Sequence, residues 1–201
     1  MKSLIYSNRH IYNLLMQLSY HTGYTDRLER VSELVENGAA VLDVCCGPCN
    51  LFPLLARKGV SYRGLDLNTT FVRDAQRRGI DAQTFDLLSE NLPEGQFNYI
   101  ILLSSLYQFI PHEKEIVSRL LAATKSYVII SEPIVNLIDR LPTILAKLVG
   151  KLKNPGNGPT PFCFTDTTLT QLMRGFEENQ VKDFYIKGEK EKVYLLKKDV
   201  A

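Results

Sequence analysis

The sequence predicts an α/β protein: a doubly wound, mostly parallel seven-stranded sheet with a C-terminal antiparallel hairpin. Three observations lead there. From Ala39 onward, short apolar runs alternate with segments of helical periodicity, the order of stacked βα units. The apolar runs are continuous rather than alternating, as in parallel strands covered on both faces. Near the C-terminus two such runs flank Gly188-Glu189, a tight hairpin signal.

The elements follow in order. Strand one is Ala40 to Cys45, with a helix from Asn50 to Lys58. Strand two is Val60 to Leu65, ending in Asp66, with a helix from Thr70 to Arg78. Strand three is Ile80 to Phe85, ending in Asp86. Strand four is the long apolar run Phe97 to Leu103, followed by Ser104 and Ser105. Pro111 opens a helix that runs to Ala123, and strand five is Tyr127 to Ile130, ending in Ser131, Glu132 and Pro133. A helix from Thr165 to Glu178 leads into the final strands, Val181 to Lys187 and Lys192 to Lys197. Before the sheet, Ile11, Leu14, Leu15 and Leu18 fall on one face of an amphipathic helix.

Residues 134 to 164 break the alternation. Ile134, Leu137, Ile138, Leu141, Leu145, Leu148, Val149 and Leu152 recur at helical spacing, Arg140, Lys147, Lys151 and Lys153 make the other side basic, and Pro142 should kink the helix. An open loop, Asn154-Pro-Gly-Asn-Gly-Pro, follows. This insertion reads as a lid over a site at the sheet edge, with a membrane-surface helix as the alternative. The expected organisation is a single domain over 1–201: an N-terminal helical cap (1–38), a core (39–132), the insertion (133–164), and a C-terminal helix and hairpin (165–201).

Composition excludes little and demands little. The 201 residues include 45% hydrophobic and 23% charged residues, ordinary globular values. A net charge of +2 gives no reason to expect a nucleic-acid partner. No run reaches the roughly 18 apolar residues of a membrane span, so no membrane partner is expected. Three of the four cysteines crowd into Cys45, Cys46 and Cys49, which is no secreted disulfide framework and points to a reducing cytoplasm. The oligomeric state is not legible.

The most informative stretch is VLDVCCGPCN, Val41 to Asn50. A buried strand with an acid near its end runs through a Gly/Pro turn into a helix, a construction that aims backbone N–H groups at an anion or nucleotide. Three acids end three successive strands: Asp43, Asp66 and Asp86. Asp66 follows Gly47 by nineteen positions, and Asp86 follows Asp66 by twenty. In a dinucleotide fold, the acid that reaches ribose hydroxyls lies about 20 residues past the glycine loop.

This set resembles the class I S-adenosylmethionine-dependent methyltransferases of small-molecule type. Asp43, Cys45 and Gly47 fall on the first three marked positions of their D-x-G/A-x-G-x-G motif, while Cys49 stands where a third glycine is usual. The resemblance implies S-adenosyl-L-methionine as cofactor and metal-independent transfer of its methyl group to a small-molecule acceptor by in-line displacement. It implies a cofactor site of Asp43, Cys45, Cys46, Gly47, Asp66, Leu67, Asp86, Leu87 and Ser104. Asp66 would meet the ribose, Asp86 with Leu87 the adenine, Asp43 the methionine ammonium, and Ser104 would line the pocket under the sulfonium. Ser104-Ser-Leu-Tyr differs from the Asn/Asp-Pro-Pro-Tyr/Phe of enzymes that methylate base amines, and Glu132 alone near strands four and five leaves no metal set. Tyr20, His21, Tyr24, Tyr107 and His112 are the substrate-side candidates, and no residue is assigned as catalytic.

Two alternatives stay open. Cys46-Gly47-Pro48-Cys49 is a C-x-x-C at a strand-to-helix junction and matches the thioredoxin active-site sequence, so a thiol–disulfide redox protein is one. A cofactor-binding protein without methyl transfer is the other. A nicotinamide dinucleotide is disfavoured because G-x-G-x-x-G is absent around Gly47.

Overall fold

A computed structural model of the protein describes residues 8–20, 22–135 and 163–199. His21, the side chain of Tyr20 and most of the insertion, 136–162, lie outside the described residues, and with them the lid and membrane-helix expectations.

Two helices, α1 (Arg9–Tyr20) and α2 (Thr22–Leu34), precede the sheet. The core follows as β1 (Ala40–Val44), α3 (Phe52–Ala56), β2 (Ser61–Asp66), α4 (Thr69–Arg77), β3 (Ala82–Thr84) and β4 (Tyr99–Leu103). After a 3-10 turn at Leu106–Phe109 come α5 (Glu113–Ala123) and β5 (Tyr127–Pro133). The chain closes with α6 (Asp166–Met173), a 3-10 stretch at Arg174–Asn179, β6 (Gln180–Tyr185) and β7 (Glu191–Lys197). One seven-stranded sheet has the order β3-β2-β1-β4-β5-β7-β6, with β7 antiparallel to both its neighbours. This is the expected doubly wound sheet with its terminal hairpin.

Strand periodicity divides the core. Leu42, Val44, Ile100, Leu102, Val128 and Ile130 face α5 and α6 in one cluster, which includes Ile116, Leu120, Leu169 and Met173. Val41, Tyr99, Ile101 and Ile129 point to the other side, against Tyr24, Leu28 and Val31 along α2 and Val35 just beyond it. Asp43, between Leu42 and Val44, shares the α2 side with Tyr62, so a carboxyl is embedded in an apolar layer. The expected N-terminal amphipathic helix is α1; of its apolar face Ile11 and Leu14 are exposed, and the side chains of Leu15 and Leu18 lie outside the described residues.

Several bounds differ from expectation for local reasons. Helix α3 is one and a half turns, since residues 46–51 are taken by turns before Pro53 can enter its first turn. Strand β5 runs on to Pro133 because β7 pairs with it throughout, Pro133 opposite Glu191. Helix α6 begins with a reciprocal cap between Thr165 and Thr168, then tightens at Arg174, where Phe176 leaves helical geometry. Among the described residues no helix is long and apolar enough to cross a membrane.

One ion pair joins the two ends of the chain. Arg27 of α2 donates to both carboxylate oxygens of Glu191 in β7, at 3.1 and 3.4 Å. The two side chains are 5% and 1% exposed. Removing one member of a buried pair strands the other charge, at about 3–5 kcal/mol. Glu191→Ala is therefore expected to lose about that much stability in urea unfolding. Arg27→Met combined with Glu191→Met should recover a large part of it, and equal losses in the single and double variants would show that the pair is not coupled.

Candidate functional site

The β1–α3 connection and the β4–α5 connection leave the sheet in opposite directions from adjacent strands. Their carboxyl ends form the crevice where open α/β sheets bind ligands. The β1 loop is fastened to β2. Cys46 N donates to Leu65 O at 3.0 Å, and Gly47 N donates to Asp66 Oδ2 at 2.7 Å. The other Asp66 oxygen accepts from Asn68 N at 2.7 Å, and Asn68 in turn caps α4 through Thr70 N. One carboxylate thus ties the loop to the start of the next helix.

The loop backbone is left-handed at alternate positions: Cys45 at φ +56°, Gly47 at +55° and Cys49 at +56°. Cys45 and Cys49 occupy positions where the resembling motif has small residues or glycine, and they keep a glycine's conformation. A side chain there costs on the order of 1–2 kcal/mol per residue. Ser104, facing the loop from the end of β4, is left-handed too, at +50°. Strain of this kind concentrates where a chain is held for function.

A small cavity of about 40 Å³ opens under the loop. Asp43, Cys45, Cys46 and Ser104 line it, all four read from the sequence, and so does Tyr24. Tyr12, Arg27 and Asn50 line it as well and were not foreseen. Arg27 Nη1 donates to Ser104 Oγ at 2.5 Å, and Glu191 Oε1 accepts from Ser131 Oγ at 2.6 Å. Asn50 Nδ2 donates to Asn13 Oδ1 at 2.7 Å and to the Tyr24 hydroxyl at 2.5 Å, so the loop is clasped to α1 and α2. Asn50, directly after the motif, was the one unforeseen residue that sequence position could have flagged. Arg27 and Glu191 come from distant segments with no local signal.

Burial controls the acid–base character. Desolvation pushes Asp43 up to about 7, with the neighbouring charge of Asp66 adding to it, while the hydrogen bond from the Tyr62 hydroxyl (2.7 Å) and the Arg27 charge act against it. Asp66 is also raised by burial, opposed by its bonds from the Asn68 and Gly47 amides. The Cys46 thiol lies well above its usual range, first through its contact with Cys49 and then through burial. Burial and nearby carboxylates raise Cys45 likewise. Thioredoxin-type nucleophiles need lowered thiol pKa values, so these thiols lack that activation. Glu132, fully buried, is pushed up to about 8 by desolvation. It accepts from Ser105 N and Leu106 N at 2.7 and 2.6 Å and so fixes the turn after Ser104.

The remaining candidates spread out. Leu67 follows β2 directly and is 65% exposed. Asp86 spends its carboxylate on its own turn, accepting from Leu88 N and Ser89 Oγ. Leu87 is buried in the core, and Leu88 is the exposed side chain there, at 58%. Tyr107 packs half-buried against the α5-side cluster. His112 sits exposed ahead of α5, 3.9 Å from Glu115. Cys49 is fully buried and does not line the cavity, so its side chain is directed away from the ligand side of the loop.

The architecture is that of class I S-adenosylmethionine-dependent methyltransferases. The chain is similar to magnesium protoporphyrin IX methyltransferase from Synechocystis PCC 6803 with bound SAH (17% identity, 91% of this chain and 87% of that one, TM-score 0.66). It is also similar to a TehB-like SAM-dependent methyltransferase from Corynebacterium glutamicum (15% identity, 87% and 86%, TM-score 0.58). A third similar structure is a SAM-dependent methyltransferase from Aquifex aeolicus (12% identity, 91% and 93%, TM-score 0.60). No curated protein matches the sequence. Residues 25–168, which span α2, the β1 loop and both sides of the switch point, match the family model described as methionine biosynthesis protein MetW, and the chain belongs to that family.

Proposed function

We propose that the protein binds S-adenosylmethionine at the β1 loop and transfers its methyl group to a small-molecule acceptor without a metal. The observation that carries this reading is the loop itself: left-handed at Cys45, Gly47 and Cys49, tied to β2 through Asp66, with buried Asp43 beside it. The donor set suits the cofactor. Asp43 offers a carboxylate for an ammonium group, Asp66 an acceptor at the ribose position, and exposed Leu67 and Leu88 apolar surface for a purine at the ends of β2 and β3. Leu88 takes the place that the sequence reading gave to Leu87.

The cofactor would supply an electrophilic methyl on a sulfonium that is already a good leaving group. The chain's own contribution is orientation, worth roughly 7–11 kcal/mol when the reacting geometry is well held. Ser104, fixed by Arg27 and by the Ser131 carbonyl, and the Glu132-anchored turn carrying Tyr107 form the wall facing the loop. Tyr24, under the cap, is placed to exclude water from the same space. Among the substrate-side candidates Tyr24 and Tyr107 are the two we retain. His112 is exposed just ahead of α5. A general base is needed only where the acceptor carries a proton at working pH.

Binding should favour S-adenosylhomocysteine over NAD in calorimetry. Asp66→Ala is expected to weaken S-adenosylhomocysteine binding by about 1.5–3 kcal/mol, the worth of hydrogen bonds to a charged acceptor. An unchanged affinity in that variant would remove Asp66 from the site.

The raised Asp43 gives a pH signature. Only its ionised form attracts an ammonium group, so affinity should climb about tenfold between pH 6 and pH 8, around a midpoint near 7. Asp43→Asn should flatten that rise. Stability moves the other way. The folded protein holds this proton more tightly than the unfolded chain does, where an Asp titrates near 3.9. The site's stabilising contribution is full below that value and is lost as pH rises through about 7. A wild-type affinity flat from pH 6 to pH 8 would mean Asp43 does not meet the ligand.

A further inference from the structure

The C-x-x-C at the loop is not absorbed by methyl transfer, and its geometry is specific. Cys46 Sγ and Cys49 Sγ lie 3.5 Å apart, across a turn closed by Cys49 N donating to Cys46 O at 3.0 Å. Cys46 is partly exposed and lines the cavity, whereas Cys49 is fully buried behind it. The sulfurs rest on Gly64 of β2, where an added Cβ would stand 2.8 Å from Cys46 Sγ, 3.1 Å from Cys49 Sγ and 3.3 Å from the Tyr62 hydroxyl. That hydroxyl holds Asp43. Cys49 sustains a left-handed backbone that glycine would adopt without cost, so its side chain is there despite the conformation, not because of it.

We propose that Cys46 and Cys49 are a redox-responsive pair whose oxidation to a disulfide by a hydroperoxide weakens cofactor binding at the same loop. This rests on the cofactor reading above. The chemistry balances. The Cys46 sulfur attacks the terminal peroxide oxygen, the O–O bond breaks, and water or an alcohol leaves, giving a sulfenic acid. The Cys49 sulfur then attacks the Cys46 sulfur, the S–O bond breaks, and the hydroxyl departs as water with the Cys49 proton. The two thiols supply two electrons, and the peroxide accepts them.

Bond formation draws the sulfurs from 3.5 Å to about 2.05 Å. Two contacts adjoin that motion: the Tyr62–Asp43 hydrogen bond, whose hydroxyl lies with both sulfurs around Gly64, and the Gly47 N–Asp66 bond, inside the turn that contracts. Both carry residues assigned to the cofactor, so the disulfide lowers its affinity. By reciprocity the bound cofactor shifts the pair toward the dithiol by the same factor. The raised Cys46 thiol makes the response slow and separates it from thioredoxin-type turnover.

The test treats the reduced full-length protein with hydrogen peroxide and follows it by alkylation, peptide mass mapping and calorimetry with S-adenosylhomocysteine. The expected result is a Cys46–Cys49 linkage, unchanged far-UV circular dichroism, and affinity about fivefold or more weaker, restored by dithiothreitol. Equilibration in glutathione buffers should show the bound nucleoside resisting oxidation by that same factor. Cys49→Ala should form no internal linkage. The proposal is overturned by a disulfide map that contains only Cys45 or Cys163, or by a Cys46–Cys49 linkage that leaves affinity unchanged. Reduced protein that binds no S-adenosylhomocysteine at all overturns the cofactor reading itself, and the disulfide map, read separately, tells the two failures apart.

Discussion

The buried contact between Arg27 and Glu191 organises the site end of the molecule. It spans residues 164 positions apart and meets four elements at once: α2 through Arg27, β7 through Glu191, the end of β4 through Ser104, and β5 through Ser131. A buried ion pair is weak evidence for net stability, because desolvation takes back most of the Coulombic gain. Its contribution here is geometric. A planar guanidinium that donates to both Glu191 oxygens and to Ser104 permits few placements of α2 over the strand ends. With α2 fixed, Tyr24 closes the cavity, Asn50 has its partners, and Asp43 is shut off from water. The elevated Asp43 follows from that burial, inside a central strand and under α2.

The second organising feature is strain gathered at one spot. Among the described residues, three of the four non-glycine residues with left-handed backbone, Cys45, Cys49 and Ser104, face each other across the switch point, and the fourth, Glu189, is in the hairpin turn. Each is held by neighbours that overdetermine it. The Cys46 amide is bonded to β2, Gly47 to Asp66, Ser104 N to the Ser131 carbonyl, and the turn beyond it to Glu132. The sheet supplies the rigidity. Val44 and Leu102 stand side by side in the centre of the core, so the loops that follow them begin from immobile ends.

What was legible in the sequence was whatever is encoded locally. Parallel strands announce themselves by continuous apolar runs, and the residues at their ends by position, so Asp43 within β1, Asp66 ending β2 and Ser104 just after β4 hold the strand positions read from the sequence. Leu87 against Leu88 shows the limit. Both follow Asp86 in a turn, and only the turn's hydrogen bonds, drawn by the Asp86 carboxylate itself, decide which leucine enters the core. Periodicity says that a face is apolar, not which surface it meets: Ile11 and Leu14 of α1 are exposed. Arg27 and Glu191 were invisible because their meaning depends on packing between segments far apart in the chain.

These features bear together on how a ligand could occupy the site. The cavity under the loop, about 40 Å³, is narrow and lined by Asp43, Arg27 and Tyr24. A nucleoside can lie along the open strand edge beside Leu67 and Leu88, but an amino-acid arm reaching Asp43 must displace what now fills the space between the loop and α2. The groups there are polar and mutually bonded, so displacement is uphill unless the incoming arm replaces their partners. An ammonium meeting Asp43 and a carboxylate meeting the Arg27 guanidinium would do so with matched charges. An uncharged arm of the same size would leave both stranded, at the cost of buried unpaired groups. On the cofactor reading proposed above, the closed arrangement would favour a zwitterionic arm, and it would do so through Arg27 of α2.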